Sequence, residues 1–434
     1  MYGELEEFDH TLHIHQSPSE ASSEHHRLTE LHHAARRGDL DTVRFLTEEK
    51  HQNPLQKDGK GDTALHTAAE GGSIDVLKYF VSEKNYNPAC PGYCGRTPLH
   101  LASIRGHLDV VQYLVIEQQV DCLCQDEDAV TPLHYSCARG ELSIVAFLTE
   151  GIEKYNPMKE ILADLKEKFG NNPLHYAAGN GHLNVVKFFI SEKDCSPNIP
   201  GQYGGTPLHH AAGKGHLHIV KYLIDEQGCD PSCLDRNKVT PLHRAASSGH
   251  LDIVKFLTLE KNCNPKSQNS SGGTPIHIAA QHGHLDILKF FITDQNCSPN
   301  IPGQYGRTPL HYATEKGHMH IVKYLIDEQG CDPSCLDVYK STPLHRAASK
   351  GHLDIVKFLT LGKHCNPNQQ TAQNSTPLHF AAEKGHLQVV QFFVEKLKCP
   401  PNLKNKRDKT PLLYAKANSH LNVAFYLKKF EYSR

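Results

Sequence analysis

Thr240-Pro-Leu-His-Arg-Ala-Ala-Ser-Ser-Gly-His-Leu251 decides how the rest of the chain is read, because it recurs. Thr-Pro-Leu-His begins again at Thr97, Thr131, Thr206, Thr308, Thr342 and Thr376, and looser copies begin at Thr29, Thr63, Asn172, Thr274 and Thr410. Successive starts are 34 residues apart except the step from 131 to 172, which is 41. A fixed period of this size marks a repeat array. The 434 residues, which by length alone suggest two to four globular domains, thus resolve into twelve copies of one small unit.

The copy from Thr206 to Val239 explains why the period folds. Thr206 offers an N-cap oxygen, Pro207 takes the first helical position where no amide is needed, and Gly215 ends the short inner helix. A second, outer helix is expected to start near His216, with Leu217, Val220, Leu223 and Ile224 on one face and His218, Lys221 and Asp225 toward water. Cys229 to Val239, with Asp230-Pro231, reads as a projecting finger. A single unit cannot hold itself together: four or five apolar side chains at ~1.5–3 kcal/mol each do not offset ordering a unit of this length at ~1–2 kcal/mol per residue. Stacking closes the gap. With helices 8–10 Å apart, twelve units would form a curved rod on the order of 110 Å long.

The element Thr-Pro-Leu-His-x-Ala-Ala-x-x-Gly-His-Leu closely resembles the ankyrin repeat, over about residues 29 to 430. The resemblance implies an all-α solenoid of helix-turn-helix units with projecting finger loops. The family's usual period is about 33, so one residue is expected to be added at the outer-helix end or in the following turn. Tetratricopeptide repeats share the longer period, but the chain has no Trp and lacks their Gly-Tyr signature. The first unit lacks proline and is charged, and the last replaces His with Leu413 and Gly with Ser419, as terminal caps should. Residues 1–28 are polar and rich in His and Ser, and are expected to be disordered. The surplus at 158–171 lengthens one finger, where Ile161, Leu162, Leu165 and Phe169 have helical spacing. Packing against the neighbouring finger is favoured there over a protruding contact site.

Counting the Thr as position 1, positions 5, 8 and 9 of each inner helix share a face by i, i+3, i+4 geometry. That face and the fingers are the candidate recognition surface, and in the ankyrin family such surfaces usually contact partners. Position 5 supplies Tyr176, His210, Arg244, Ile278, Tyr312, Arg346 and Phe380; positions 8 and 9 supply Glu315, His282, Lys316, Lys350 and Lys384; the fingers supply Tyr203, Arg236, Tyr305, Arg307 and Tyr339. Aromatic and Arg side chains are common interface anchors. An internal comparison points the same way: residues 196–265 recur as 298–367 with eleven differences. Seven lie on fingers or the inner face, namely Gly205/Arg307, His210/Tyr312, Gly213/Glu315, Arg236/Val338, Asn237/Tyr339, Val239/Ser341 and Ser248/Lys350. Exposed outer-helix residues such as Lys221 and Lys255 keep their identity in both copies.

Thirty-two histidines invite a metal reading, but eleven occupy position 4 and nine position 11, and copies a repeat apart cannot share a metal with ligands at ~2 Å. Both sets read as architecture; the ankyrin resemblance implies that the first bonds between neighbouring units. Cysteine fills position 24 in seven consecutive units from Cys195 to Cys399, a small apolar site, and a repeat spacing of 8–10 Å exceeds the ~7 Å limit for a disulfide. The finger cysteines Cys90, Cys94, Cys124, Cys233 and Cys335 leave open a redox or metal-sensing alternative. No phosphate loop, nucleophile elbow or zinc-protease motif occurs, which argues against an enzyme and against a cofactor. The run Lys396, Lys398, Lys404, Lys406, Arg407, Lys409 has no interleaved aromatics and reads as a solvated finger. With 46 basic against 48 acidic side chains there is no global field to favour nucleic acid. The acidic start is unlike a signal peptide, and no apolar run suits membrane insertion, so a cytoplasmic or nuclear, reduced environment is expected. The expectation is a monomeric, noncatalytic scaffold or adaptor whose partner is another protein, with a spacer lacking any specific partner as the alternative.

Overall fold

The computed structural model describes residues 28–155 and 161–430, in which every regular element is helical. Twelve inner helices begin directly after Thr29, Thr63, Thr97, Thr131, Asn172, Thr206, Thr240, Thr274, Thr308, Thr342, Thr376 and Thr410. Each is followed by an outer helix, and we name each pair by its capping residue. The chain divides into two compact units, residues 1–229 and 230–434, each a stack of successive helix pairs. The disorder expected of residues 1–28 falls, up to residue 27, outside the described residues, as do residues 158–160 of the lengthened finger.

The Thr308 pair shows why the motif folds. Thr308 is extended (φ −90°, ψ 166°) and caps Pro309–Lys316, which ends at Gly317 in the left-handed conformation (φ +85°). A side chain at Gly317 would also strike the ring of His352 from the next pair at 2.6 Å. Glycine at position 10 and histidine at position 11 are thus one packing solution divided between neighbours. Leu310, Ala313, Ile321, Val322 and Leu325 are completely buried. The small side chain of Ala313 and its counterparts lets inner helices approach closely, and within each unit they pack on one another more extensively than the outer helices do.

Outer helices mostly end in a widened turn. Met319–Lys323 runs into Tyr324–Glu328, closed by the Gln329 amide donating to the Tyr324 carbonyl five residues back at 3.1 Å. A five-residue step lets a helix absorb one inserted residue without disturbing either flank. It sits where the surplus over the 33-residue period was expected. The lengthened finger contributes the short helix Ile161–Asp164, whose Leu162 is buried together with Leu165, while Phe169 is exposed.

Candidate functional site

Two rows of histidines tie the pairs together. At position 4, His311 Nδ1 accepts from the Thr308 amide (3.2 Å), and Nε2 lies 3.2 Å from the Ser341 carbonyl at the foot of the next finger. A carbonyl only accepts, so Nε2 carries the proton and the ring is neutral. The same arrangement recurs at His100 (Val130 carbonyl, 3.1 Å) and His243 (Gly273 carbonyl, 3.3 Å). Burial pushes the pKa of His100, His243 and His311 down to about 4. At position 11 the link runs backward: His352 donates to the Glu315 carbonyl (3.0 Å) and His318 to that of Gln281 (2.9 Å). The sequence marks both rows as architectural; the backward direction of the second is visible only in the fold.

Position 5 turns out to be partly committed to the same framework. Its rings stand edge-on against the position-4 histidine of the preceding pair: Tyr135 on His100, Tyr176 on His134, His210 on His175, Tyr312 on His277, Phe380 on His345. Tyr176 retains only 8% exposure and offers a partner almost nothing. His210, Ile278, Tyr312 and Phe380 are half-buried. Where position 5 is arginine, it reaches back to its own finger: Arg244 meets Asp235 at 3.1 Å and Arg346 meets Asp337 at 2.6 Å. These aspartates are buried, and each also caps the finger turn; Asp337 Oδ1 accepts from the Tyr339 (2.9 Å) and Ser341 (2.8 Å) amides. The residue five before the Thr, paired with Arg or Tyr at position 5, is a signal that sequence reasoning could have used and missed.

The accessible aromatic residues Tyr305 and Tyr339 meet between the Thr308 and Thr342 pairs. Tyr305 and Tyr339, on adjacent finger tips, are 43% and 51% exposed, with ring centroids 5.5 Å apart. The Val338 amide donates to the Tyr305 carbonyl at 2.9 Å, joining the fingers, and Val338 and Leu336 are themselves exposed. Arg307 lies 5.7 Å from the Tyr305 ring centre, 3.5 Å from Glu315 and 3.8 Å from Asp337. Lys316, Lys350 and Lys384 are exposed at position 9 of three successive inner helices, and His282 precedes them in that column. Tyr203 and Arg236 are exposed too, on fingers of different units. Tyr305 and Tyr203 both adopt the left-handed conformation (φ +57° and +50°), which a bulky side chain occupies only at a cost.

Among the described residues no group of three or more His, Cys, Asp or Glu side chains could hold a metal ion. Burial raises the thiol of Cys335 to about 11 and that of Cys124 to about 12, which keeps them protonated. A cleft lined by Ser232, Leu234, Thr240, Leu242 and Cys263 measures about 140 Å³, below the ~300 Å³ at which small-molecule pockets begin. No described helix is long and apolar enough to cross a membrane.

Within each unit, successive helix pairs that bury apolar side chains against their neighbours and are joined by fingers define a helical repeat solenoid. The family model described as ankyrin repeats (3 copies) matches in nine overlapping segments, from residues 31–126 to 344–433. The chain belongs to the ankyrin-repeat family, whose members are generally protein-protein interaction modules and typically non-catalytic. No curated protein matches it.

Proposed function

We propose that this protein is a noncatalytic adaptor that captures a protein partner on the finger-and-inner-helix face centred on Tyr305 and Tyr339. One observation carries the reading. Of the seven inner-face and finger differences between residues 196–265 and 298–367, Arg307, Glu315, Val338 and Tyr339 are drawn into one cluster around Tyr305, through the ion pair, ring pair and backbone bond described above. Changes on the outer helices are confined to Leu217/Met319 and Glu260/Gly362, whereas random drift of exposed positions would not gather four changes around one ring. The exposed aromatic pair supplies anchoring area, the column Lys316, Lys350, Lys384 favours a partner segment carrying carboxylates, and the left-handed backbone that recurs in the finger turns carries an exposed ring at Tyr305, where other fingers place Gly272, Asn374 or Asp408 in it.

The test follows from what each side chain holds. Arg307 and Tyr312 are poor choices for truncation, since one is ion-paired and the other packs on His277. Tyr305→Gly removes the ring while relieving the left-handed backbone, and Tyr339→Ala removes an exposed ring. The double variant should unfold at the same denaturant concentration as the intact chain or a higher one, yet lose a partner recovered by affinity capture from cell extract. A partner retained equally by both proteins refutes this face; absence of any captured protein favours the spacer alternative.

A further inference from the structure

The Thr410 pair carries an unusual outer surface. In several other pairs, a cation at position 16 of the outer helix lies over an aromatic ring of the following pair: the ammonium of Lys289 is 4.8 Å from the Tyr324 ring centre, and that of Lys187 is 4.8 Å from the Tyr222 ring centre. Position 16 of the Thr410 pair is Phe425, 72% exposed, and Leu421 one turn earlier is 79% exposed. Position 4, where histidine donates to the next pair, is Leu413, also exposed. Position 7, a buried Ala280, Thr314, Ala348 or Ala382 elsewhere, is the exposed Lys416. Lys429 lies 5.7 Å from the Phe425 ring centre. Around these groups, residues 400–430 hold seven Lys and Arg side chains against the single carboxylate of Asp408.

Three candidate occupants can be weighed on this chemistry. Another ankyrin helix pair would bury the Lys416 charge against a closely approaching inner helix and would lack the position-4 hydrogen bond. The same face of a second copy would bring seven cations against seven. A simple solubilising cap would be polar, whereas this one exposes Phe425 and Leu421 an i, i+4 step apart. An acidic amphipathic helix satisfies all three features. Its apolar stripe covers Leu421, Phe425 and Leu413, and its carboxylates meet Lys416, Lys429 and the basic finger. The ridge-and-groove relief of an inner and an outer helix is already the shape against which helices pack throughout the fold.

We propose that the outer face of the Thr410 pair is a second docking surface, independent of the Tyr305/Tyr339 face, and that it takes an acidic amphipathic helix of a partner protein. The experiment is selection from a random library of helix-forming peptides on the intact chain and, in parallel, on Phe425→Lys, which installs the residue most other pairs hold at that position. Leu421→Gln serves as a second variant, and circular dichroism of each establishes the fold. Selected peptides should be acidic with apolar residues at i, i+4 spacing, bind about tenfold more weakly to either variant, weaken as salt is raised, and be indifferent to Tyr305→Gly. Peptides that are not acidic, that bind both variants like the intact chain, or that fail to enrich at all overturn the proposal. Flotation with phosphatidylserine vesicles that depends on Phe425, without peptide enrichment, overturns it in favour of an anionic lipid surface.

Discussion

Acid should dismantle this protein through its position-4 histidines. Burial holds His134 down to about 3 and His100, His175, His243, His277, His311 and His345 down to about 4, against an ordinary value of 6.5. The neutral ring is the form the fold accepts, so its contribution is complete above pH 6.5 and is lost as pH falls from 6.5 toward 4. At pH 5 each such ring is about 97% protonated in the unfolded chain and about 10% in the folded one, a linkage of about 2 kcal/mol per histidine. Seven of them amount to on the order of 10 kcal/mol and an uptake of about six protons on unfolding. Urea titrations followed by circular dichroism at pH 7.5, 6 and 5 should show the midpoint unchanged by these groups above pH 7 and falling steeply below 6.5. Because a solenoid can unfold in segments, amide exchange of individual inner helices is the companion measurement. A midpoint that stays flat from pH 7.5 to 5, or an uptake below about two protons, would refute the neutral-histidine framework.

Other consequences follow from single residues. Gly317→Ala forces a side chain into left-handed backbone and against His352, and should cost about 2–3 kcal/mol in urea unfolding; a neutral effect would mean the glycine is incidental. Asp337→Ala removes the acceptor of two finger amides and the partner of Arg346, and should cost about 3–5 kcal/mol, with Asp337→Asn intermediate because it keeps the amide acceptor. Thiols held at about 11 or 12, such as Cys331, Cys335 and Cys399, should react with iodoacetamide at pH 8 at least about a hundredfold more slowly in the folded chain than in urea. Rapid labelling of Cys335 would revive the redox-sensing alternative.

The repeat, its register and its helical class could all be read from the chain, because each rests on local chemistry: a threonine cap, a proline at the first helical position, a glycine that accepts left-handed backbone, and apolar spacing at 3.6 residues. The division of labour on the inner face could not. Position 5 looks from sequence like a row of recognition side chains. Only stacking reveals that Tyr176 spends its ring on His134, and that Arg244 and Arg346 are tied down by aspartates nine residues earlier. The same holds for the left-handed Tyr305 and its contact with Tyr339, which lies one finger away and 34 residues along the chain. Local sequence determines what a single helix pair is. Which of its side chains face a neighbour and which are left for a partner is decided by the next pair in the stack, because burial and ion pairing depend on distances that a lone repeat does not define.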